Sequence, residues 1–494
     1  MKLYTLRIKF LSLLAMHLLV VSCMEDEGNY DYSEINEVEI GAIEEDYTVE
    51  RFKNLVINPE VKFNLDVDGT GDYEYRWVAV EDTGIGIQEL TELATTKNLD
   101  APIPLTTGNY FGYYFVKDVK TGIETQYKFN IEVVDSIYEG WLILSDTNES
   151  PRLDMVSLID GQYEPLYDVL AGSGLELSGE AGFVYTYGYK SNNYGIYVST
   201  SGNGTTRIEQ NTFEWFPDFP ISNEFLSSQP DDLEIDFMES QSGRTCYTFA
   251  DGNAYYYNDV SQIAYGSPIN NISGVSFNVA PMIGKGGIAT YSTLYDVTNR
   301  RFLRSLRGNV VTFAPAASTK FDYNDTGMEI VYLTSNDYGG LSGAATFAIL
   351  KNAETSKYYL AIFNVSNSSQ MYFNEIEASN FDQASNIAIN PVYGYVFYNV
   401  GSKVFRYDWN PEVPELEEVL DAGSDEINML KFHDFKGNKG NYVEMQNHLI
   451  VGRSNGGVGT VEFYDVLSLG PEPLSFVSSF TGFGKVKSIS YRQR

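Results

Sequence analysis

Apolar and polar residues alternate along much of the first third of the chain. The alternation covers residues 61–67, 73–77 and 127–133. A period of two places every second side chain on the same face, which is typical of antiparallel strands with one buried face. About 100 residues of such short strands, with Trp77 near their middle, predict an Ig-like β-sandwich over residues 36–137.

From residue 140 onward the pattern changes to hairpins, and most of them are preceded by a further apolar strand. The clearest hairpins join residues 140–146 to 153–158, 244–249 to 254–257, 395–398 to 404–407, and 448–452 to 460–464. Strands that open a new group start near residues 181, 230, 273, 327, 386, 427 and 485, a spacing of roughly 40 to 60 residues. This spacing is typical of a β-propeller.

The two ends of the repeating region complement each other. The hairpin at Trp141 has no strand of its own before it, and the chain finishes with an unpaired strand from Lys485 to Arg492. If that strand completes the first blade, the ring closes without exposed sheet edges. We therefore predict an all-β chain in which residues 138–494 form a seven-bladed propeller. Two stacked β-sandwiches are the alternative, since several inferred fourth strands are weak in the sequence.

Composition agrees with this fold and narrows the function. The chain has 494 residues, more than one hydrophobic core usually serves, and its 38 Tyr and 29 Phe suit half-buried pleated surfaces. Its formal charge of −34 repels phosphate backbones, so we expect no nucleic-acid partner. The two cysteines are Cys23 and Cys246, and we interpret the second as a small buried apolar residue.

The first 22 residues have the layout of a secretory leader. Cationic residues precede an apolar run from Phe10 to Val21, which is too short to span a bilayer. The small Ser22 directly before Cys23 resembles the cleavage site of a bacterial type II lipoprotein signal. We predict that residues 1–22 are removed, that Cys23 is acylated and that residues 23–35 form an acidic tether. An ordinary cleavable leader with an incidental cysteine is the alternative.

Several motifs of the N-terminal third resemble one family. Gly28-Asn29-Tyr30-Asp31-Tyr32 follows the lipid cysteine, Trp77 follows a turn, and Gly108-Asn109-Tyr110 leads into Val116-Lys117-Asp118. Together these segments resemble the Bacteroidetes PKD-like family lipoproteins. The carboxylates straight after Cys23 resemble the surface-export tag of such lipoproteins, which implies an outer-membrane protein facing the cell exterior. The resemblance also implies an accessory role beside SusCD-like TonB-dependent importers of peptides or oligosaccharides.

The sequence contains no recognisable catalytic motif. It lacks a Gly-x-Ser-x-Gly elbow, a phosphate-binding glycine loop and a zinc signature, and His433 and His448 are the only imidazoles after the leader. We predict no catalytic residue, no metal site and no cofactor. The acidic segment Asp66–Asp72 suits calcium in its alternate carboxylates. However, Thr70 stands where an EF-hand loop has an acidic or amide residue and Trp77 stands where it has a glutamate, and a hairpin turn explains the same residues.

An aromatic insert is the best candidate for a binding surface. Residues 213–220 contain four aromatic residues and two prolines between the second and third predicted blades. Exposed aromatic rings stack on sugars or pack on peptides, so we predict that Trp215, Phe216 and Phe219 contact a ligand or partner. Burial of the insert against its own blade is the alternative.

The junction between the two predicted modules carries a possible modification site. Asp135-Ser136-Ile137 resembles the Asp-Ser/Thr-apolar acceptor for O-glycosylation in exported Bacteroidetes proteins. A linker tolerates a bulky group, so we predict a glycan on Ser136, which an intact-mass measurement of the native protein would detect.

These features lead to two functional hypotheses. The first is a non-enzymatic accessory or ligand-binding lipoprotein of a nutrient importer. The alternative is a surface propeller enzyme, a glycoside hydrolase or lyase acting on polysaccharide, which would need a pair of carboxylates on the propeller axis.

The lipid anchor makes a direct prediction. Cys23→Ala should release the protein from the membrane fraction or leave it uncleaved, because acyl chains on Cys23 are the proposed anchor. Fractionation and intact mass measure the outcome. A variant that stays membrane-bound at the mature mass would show that the anchor lies elsewhere.

Overall fold

The computed structural model describes most of the chain from residue 35 to residue 493. The described ranges are 35–50, 53–82, 90–105, 107–134, 136–159, 161–187, 195–242, 245–258, 264–286, 290–314, 319–336, 338, 345–410, 415–435, 440–468 and 473–493. Within them lie 36 strands and three short helical turns, Ile221–Glu224, Phe381–Gln383 and Tyr442–Met445. The all-β prediction is confirmed. The chain divides into two compact units, residues 1–134 and 135–494.

The first unit contains a five-stranded sheet and two pairs of strands. Its strands are β1 Val38–Gly41, β2 Asp46–Glu50, β3 Asn54–Ile57, β4 Glu60–Phe63, β5 Tyr73–Glu81, β6 Thr91–Ala94, β7 Leu99–Pro102, β8 Gly108–Asp118 and β9 Glu124–Val134. The large sheet has the order β2-β9-β8-β5-β6, while β1 pairs with β4 and β3 pairs with β7. Strand β2 runs parallel to β9, and the other neighbours are antiparallel.

Trp77 is the centre of the core of this unit. It is fully buried, its ring stacks on Tyr114 at 4.0 Å, and its indole N–H donates to the Thr96 carbonyl at 2.9 Å. The β8–β9 hairpin turns at Asp118, whose carboxylate accepts from the backbone N–H groups of Lys120 and Thr121 at 2.9 and 3.1 Å. The aspartate before the tight turn therefore has a structural task, because it satisfies donors that the turn leaves unpaired.

The second unit contains seven sheets of three or four strands in its described part, and we number them in chain order. The strands of sheets 1 to 3 are β10 Gly140–Thr147, β11 Ser150–Ile159, β12 Gln162–Leu166, β13 Ala181–Tyr187, β14 Gly195–Thr200, β15 Gly204–Ile208, β16 Phe237–Ser242, β17 Thr245–Ala250 and β18 Asn253–Asn258. A separate pair follows, β19 Asn271–Ile272 and β20 Val275–Ser276.

The strands of sheets 4 to 7 complete the unit. They are β21 Ser292–Asp296, β22 Arg301–Leu306, β23 Asn309–Thr312, β24 Glu329–Asn336, β25 Ala345–Lys351, β26 Tyr358–Asn364, β27 Ser369–Glu375, β28 Ile387–Ile389, β29 Val396–Val400, β30 Lys403–Asp408, β31 Glu415–Asp421, β32 Glu426–Lys431, β33 His448–Asn455, β34 Val458–Val466 and β35 Leu474–Phe483. The last strand, β36 Lys485–Arg492, joins sheet 1, which has the order β12-β11-β10-β36.

Buried apolar clusters lie between successive sheets. Six clusters each join two consecutive sheets, from the pair of sheets 1 and 2 to the pair of sheets 6 and 7. A seventh joins sheet 7 back to sheet 1, where Trp141 of β10 and Ile489 of β36 pack with Phe463 of β34. The Trp141 and Phe463 rings are 5.1 Å apart. Each sheet thus buries both faces against its neighbours, and the second unit is propeller-like.

The predicted hairpins and most predicted strand starts are confirmed. The four hairpins read from the sequence are antiparallel pairs in the structure. Strands start within two residues of the expected positions near 181, 327, 386, 427 and 485, whereas β16 starts at Phe237 rather than near 230. The strand expected near 273 is replaced by the short β19–β20 pair, and sheet 4 instead pairs β21 with residues 279 and 284 through single bridges. Among the described residues, no helix has the length and apolarity to span a membrane.

Removal of the last strand should damage the whole second unit. Deleting residues 485–494 uncovers the edge of β10 and removes the buried side chains of Val486, Ile489 and Tyr491. Burial of each contributes about 1.5–3 kcal/mol, so their joint loss rivals the typical 5–15 kcal/mol stability of a domain. We expect aggregation or a large fall in melting temperature.

A surface substitution in the same strand serves as the control. Lys485 forms an exposed ion pair with Glu426 at 2.8 Å, so Lys485→Ala should cost less than about 1 kcal/mol. A truncated protein that melts like the full chain and stays monomeric would contradict a structural role for β36.

Candidate functional site

The inner edges of the seven sheets surround a cavity of about 470 Å³. Strands β13, β16, β24, β28, β32 and β36 line it, and residues 282–285, which precede β21, represent sheet 4. In each sheet the segment that lines the cavity lies at one edge of the sheet. Ligand cavities commonly measure about 300–1,000 Å³, so this space has the size of a small-molecule site.

A three-membered ion cluster crosses this cavity. Lys285 Nζ lies 3.3 Å from Glu239 Oε1 and also contacts the Asp434 carboxylate. Glu239 is on β16 of sheet 3, Lys285 precedes β21 of sheet 4, and Asp434 follows β32 of sheet 7. The side chain of Asp434 is 59% exposed, against 23% for Glu239. One lysine therefore links segments of three sheets, and Asp434 is the partner that solvent reaches most easily.

Lys431 is a second cation on the wall of the cavity. Its Nζ donates to the Ile489 carbonyl at 2.7 Å, and in the described part of the chain it forms no ion pair. Burial lowers the pKa of this lysine, and the negative charge of Glu239 offsets the effect in part. A partly buried ammonium bonded to a neutral carbonyl lacks the compensation that a carboxylate would provide.

Tyr185 lies beside Glu239. Its hydroxyl accepts from the Ser240 backbone N–H at 2.6 Å, and its proton faces Ser240 Oγ at 3.0 Å and Glu239 Oε1 at 3.4 Å. Burial, and next the charge of Glu239, raise the pKa of Tyr185 well above its usual value. The hydroxyl therefore stays protonated beside the carboxylate.

Comparisons with known proteins support only the N-terminal resemblance. Residues 23–179 match the PKD-like family, which is less than half of the chain. The match includes β10–β12 of sheet 1 and so extends beyond the first unit. No curated protein matches the chain.

Several solved structures are similar to the chain at low identity. A quinoprotein alcohol dehydrogenase-like protein from Bacteroides thetaiotaomicron is 10% identical, with 93% of this chain and 99% of that chain covered and a TM-score of 0.38. A DUF4784 family protein from Bacteroides caccae is 8% identical, with 93% and 100% covered and a TM-score of 0.33. The β-propeller domain of the Trilobed protease from Pyrococcus furiosus is 8% identical, with 74% and 95% covered and a TM-score of 0.33. Similarity at this level does not indicate a function.

The aromatic insert divides into a buried part and an exposed part. Trp215 is half-buried against the cluster between sheets 1 and 2, and its indole N–H donates to Thr206 Oγ1 at 2.8 Å. Phe216 is 43% exposed and meets Phe219 edge to face at 5.1 Å, while the Arg207 guanidinium lies 4.6 Å from the Phe219 ring. Trp215 thus secures the insert, Phe216 is exposed, and Phe219 is partly buried beside it.

The predicted lipidation and glycosylation sites lie outside the described residues or next to a gap in them. Cys23 and Asp135 are outside the described residues. Ser136 is partly exposed, and its carbonyl accepts a hydrogen bond from the Ser157 hydroxyl. O-glycosylation of Ser136 therefore remains a prediction.

The residues considered for metal binding have structural partners. Both carboxylate oxygens of Asp66 accept hydrogen bonds, from the Thr70 and Gly71 backbone N–H groups and from the Tyr73 hydroxyl. These bonds, chiefly the one from Gly71, lower the pKa of Asp66, and they fit a hairpin turn. Across the described ranges, no group of three His, Cys, Asp or Glu side chains is arranged to hold a metal ion.

The remaining singled-out side chains pack into the second unit. Cys246 is fully buried between sheets 2 and 3, and burial raises the pKa of its thiol, as expected for an inert core residue. His448 is buried at the start of β33, where burial lowers its pKa, and His433 packs edge to face against Trp141.

Sequence reasoning missed the ion cluster and Lys431. Glu239, Lys285 and Lys431 are far apart in the chain and meet only because the sheets converge. One signal was present, since Lys431 interrupts an apolar strand between Leu430 and Phe432. A charge in such a place marks either a surface strand or a buried cation with a task.

Replacement of Trp215 by alanine and replacement of Phe216 by alanine should have different effects on the stability of the protein. Trp215→Ala removes a packed ring and the bond to Thr206, so we expect a loss of about 2–4 kcal/mol in the free energy of unfolding. Phe216→Ala removes an exposed ring and should cost less than about 1 kcal/mol. Urea unfolding of both variants measures the difference. Equal losses would mean that both rings are packed to the same degree.

Proposed function

We propose that this protein is a non-enzymatic ligand-binding lipoprotein of the outer-membrane surface, an accessory component of a SusCD-like importer. The cavity on the axis of the second unit is its ligand site. The observation that carries this proposal is the convergence of all seven sheets on one cavity that contains both charged groups and aromatic rings. Such a mixture of apolar walls and a few placed polar groups is characteristic of ligand sites.

The second unit in this proposal is a closed propeller of seven blades, each numbered sheet being one blade. The seven shared apolar clusters support a ring, since the last of them joins sheet 7 to sheet 1. The antiparallel pairing of β36 with β10 also supports it, because the chain ends where it would complete the first blade. A ring of this kind holds its axial cavity rigidly, which favours binding with little reorganisation.

The charges in the cavity favour binding over acid–base chemistry. A glycosidase pair needs one carboxyl group that is protonated and can donate to the leaving group. Glu239 and Asp434 share the Lys285 ammonium, and a nearby cation favours the ionised form of a carboxylate. These two carboxylates are therefore suited to fix a lysine, and the alternative of a polysaccharide-cutting enzyme receives no support from them.

Features of the N-terminal third support the proposed partner and the proposed location of the protein. The lipoprotein-type leader and the PKD-like match over residues 23–179 support a lipid-anchored protein of the kind found beside SusCD-like importers. Anchoring in the same membrane raises the effective concentration of the two proteins, so weak contacts would suffice for association. The exposed Phe216 ring and the partly buried Phe219 ring beside it are the contact surface that we propose for the importer.

Co-purification tests this function. Pull-down of the native lipoprotein from detergent-solubilised outer membranes should recover a TonB-dependent channel and its lid lipoprotein. Phe216→Ala should weaken recovery while leaving the protein folded, and the exposed Lys485→Ala should leave recovery unchanged. Recovery of the protein alone, together with release of reducing ends from a surface polysaccharide by the purified chain, would contradict the proposal and favour the enzyme.

A further inference from the structure

The axial cavity contains two lysines although the protein is strongly acidic. The chain carries 33 Lys and Arg against 67 Asp and Glu, and Lys285 and Lys431 line the cavity together with the carboxylates of Asp236, Glu239 and Asp434. A surface of net negative charge repels anions at a distance. Removal of the two lysines from water is costly. Their position inside the protein therefore indicates a use other than keeping the protein soluble.

Lys431 is a cation whose hydrogen-bond acceptor is an uncharged carbonyl group. Its ammonium is bonded to the Ile489 carbonyl at 2.7 Å, and the negative group that acts on it electrostatically is Glu239, which is already bound to Lys285 and Tyr185. A carboxylate beside an ammonium forms a hydrogen bond about twice as strong as one between neutral groups. An anion in the cavity would thus gain a strong bond to Lys431 without displacing Glu239.

Lys285 has one partner that a ligand can replace. Glu239 is mostly buried and lies beside Tyr185, whereas Asp434 is largely exposed and Lys285 is only 17% exposed. Replacement of the Asp434 carboxylate by a ligand carboxylate would keep a negative group on the Lys285 ammonium, so the exchange leaves no charge unpaired at this lysine. Asp434 occupies the place at Lys285 that an incoming carboxylate would take.

Aromatic rings beside these lysines suit the body of a ligand. Tyr332 and Phe432 line the same cavity, and flat rings pack on sugar or peptide units at small entropic cost. The volume of about 470 Å³ accommodates a few residues of an oligomer rather than a long chain.

We infer that the cavity binds the carboxylate-bearing end of an acidic oligomer, with Lys431 and Lys285 as its charge partners and Asp434 as the group that the ligand displaces. This inference rests on the proposed ligand-binding function and specifies its ligand class. The carboxylate could belong to a uronate-containing oligosaccharide or to the C-terminus of a peptide, and the chemistry at the two lysines is the same.

Calorimetric titration of the full mature chain in detergent tests the inference with two pairs of probes. The first pair is trigalacturonate and the matching neutral galactose trisaccharide. The second is a tripeptide with a free C-terminal carboxylate and the same tripeptide as its C-terminal amide. In the pair that matches the natural source, the acidic member should bind at least about ten-fold more tightly than its neutral counterpart.

The lysine and aspartate variants separate this inference from general binding. Lys431→Met and Lys285→Met should each weaken the acidic probe by at least about ten-fold, because each removes a charged hydrogen bond. Asp434→Asn should strengthen it several-fold, because Lys285 no longer has to exchange a carboxylate. Lys431→Met should melt at or above the wild-type temperature, since it removes a buried charge. Lys485→Ala is the matched control, a surface lysine whose loss should change neither property.

Three outcomes would contradict the inference, and the first two differ in their meaning for the function. Equal binding of acidic and neutral probes, unaffected by the lysine variants, would refute the carboxylate site but leave a ligand-binding protein. Absence of binding by all four probes while the pull-down still recovers an importer would refute the cavity as a ligand site and leave only the accessory role. Weaker binding by Asp434→Asn would refute the displacement of Asp434.

Discussion

The apolar faces of the seven sheets in the second unit can be covered only by one another. Each sheet has buried residues on both faces, so a row of sheets would leave one face bare at each end. Packing of sheet 7 on sheet 1 covers both ends, and Trp141, Phe463 and Ile489 make that contact. Strand β36 adds backbone hydrogen bonds along β10 at the same place. The cavity depends on this contact, because it brings the inner edges of distant sheets together.

The cavity carries an energetic cost that the fold has to offset. Lys431 and Lys285 are charged groups withdrawn from water, and Asp434 and Glu239 neutralise only one of them directly. Replacement of such groups by apolar side chains commonly stabilises a protein or leaves its stability unchanged. The seven apolar clusters between the sheets provide stability that offsets this cost. Under the proposed function, these charges serve to hold the ligand.

The sequence was informative where structure is local and uninformative where it depends on convergence. The period-two alternation in β8 and β9 and the apolar hairpins such as β33–β34 were readable, because each strand pairs with its neighbour in the chain. The strand that opens sheet 4 was predicted near residue 273, but only single bridges at Val279 and Gly284 join this part of the chain to β21. Trp215 was predicted as a contact residue because its neighbours in the sequence are aromatic. Its hydrogen bond to Thr206 depends on how the insert packs on β15, which the sequence does not indicate. Glu239, Lys285 and Lys431 belong to three different sheets, so no spacing in the sequence links them.

If the cavity of the second unit is the ligand site, a crystal structure with bound ligand will show the ligand there. Crystals of the mature chain would be grown in parallel with saturating trigalacturonate and with the tripeptide that has a free carboxylate. We expect density inside the cavity with a ligand carboxylate bonded to Lys431 Nζ and to Lys285 Nζ, and with Asp434 turned away. Ligand found only at Phe216 and Phe219, with the Lys285 ion cluster intact, would show that the cavity is not the ligand site.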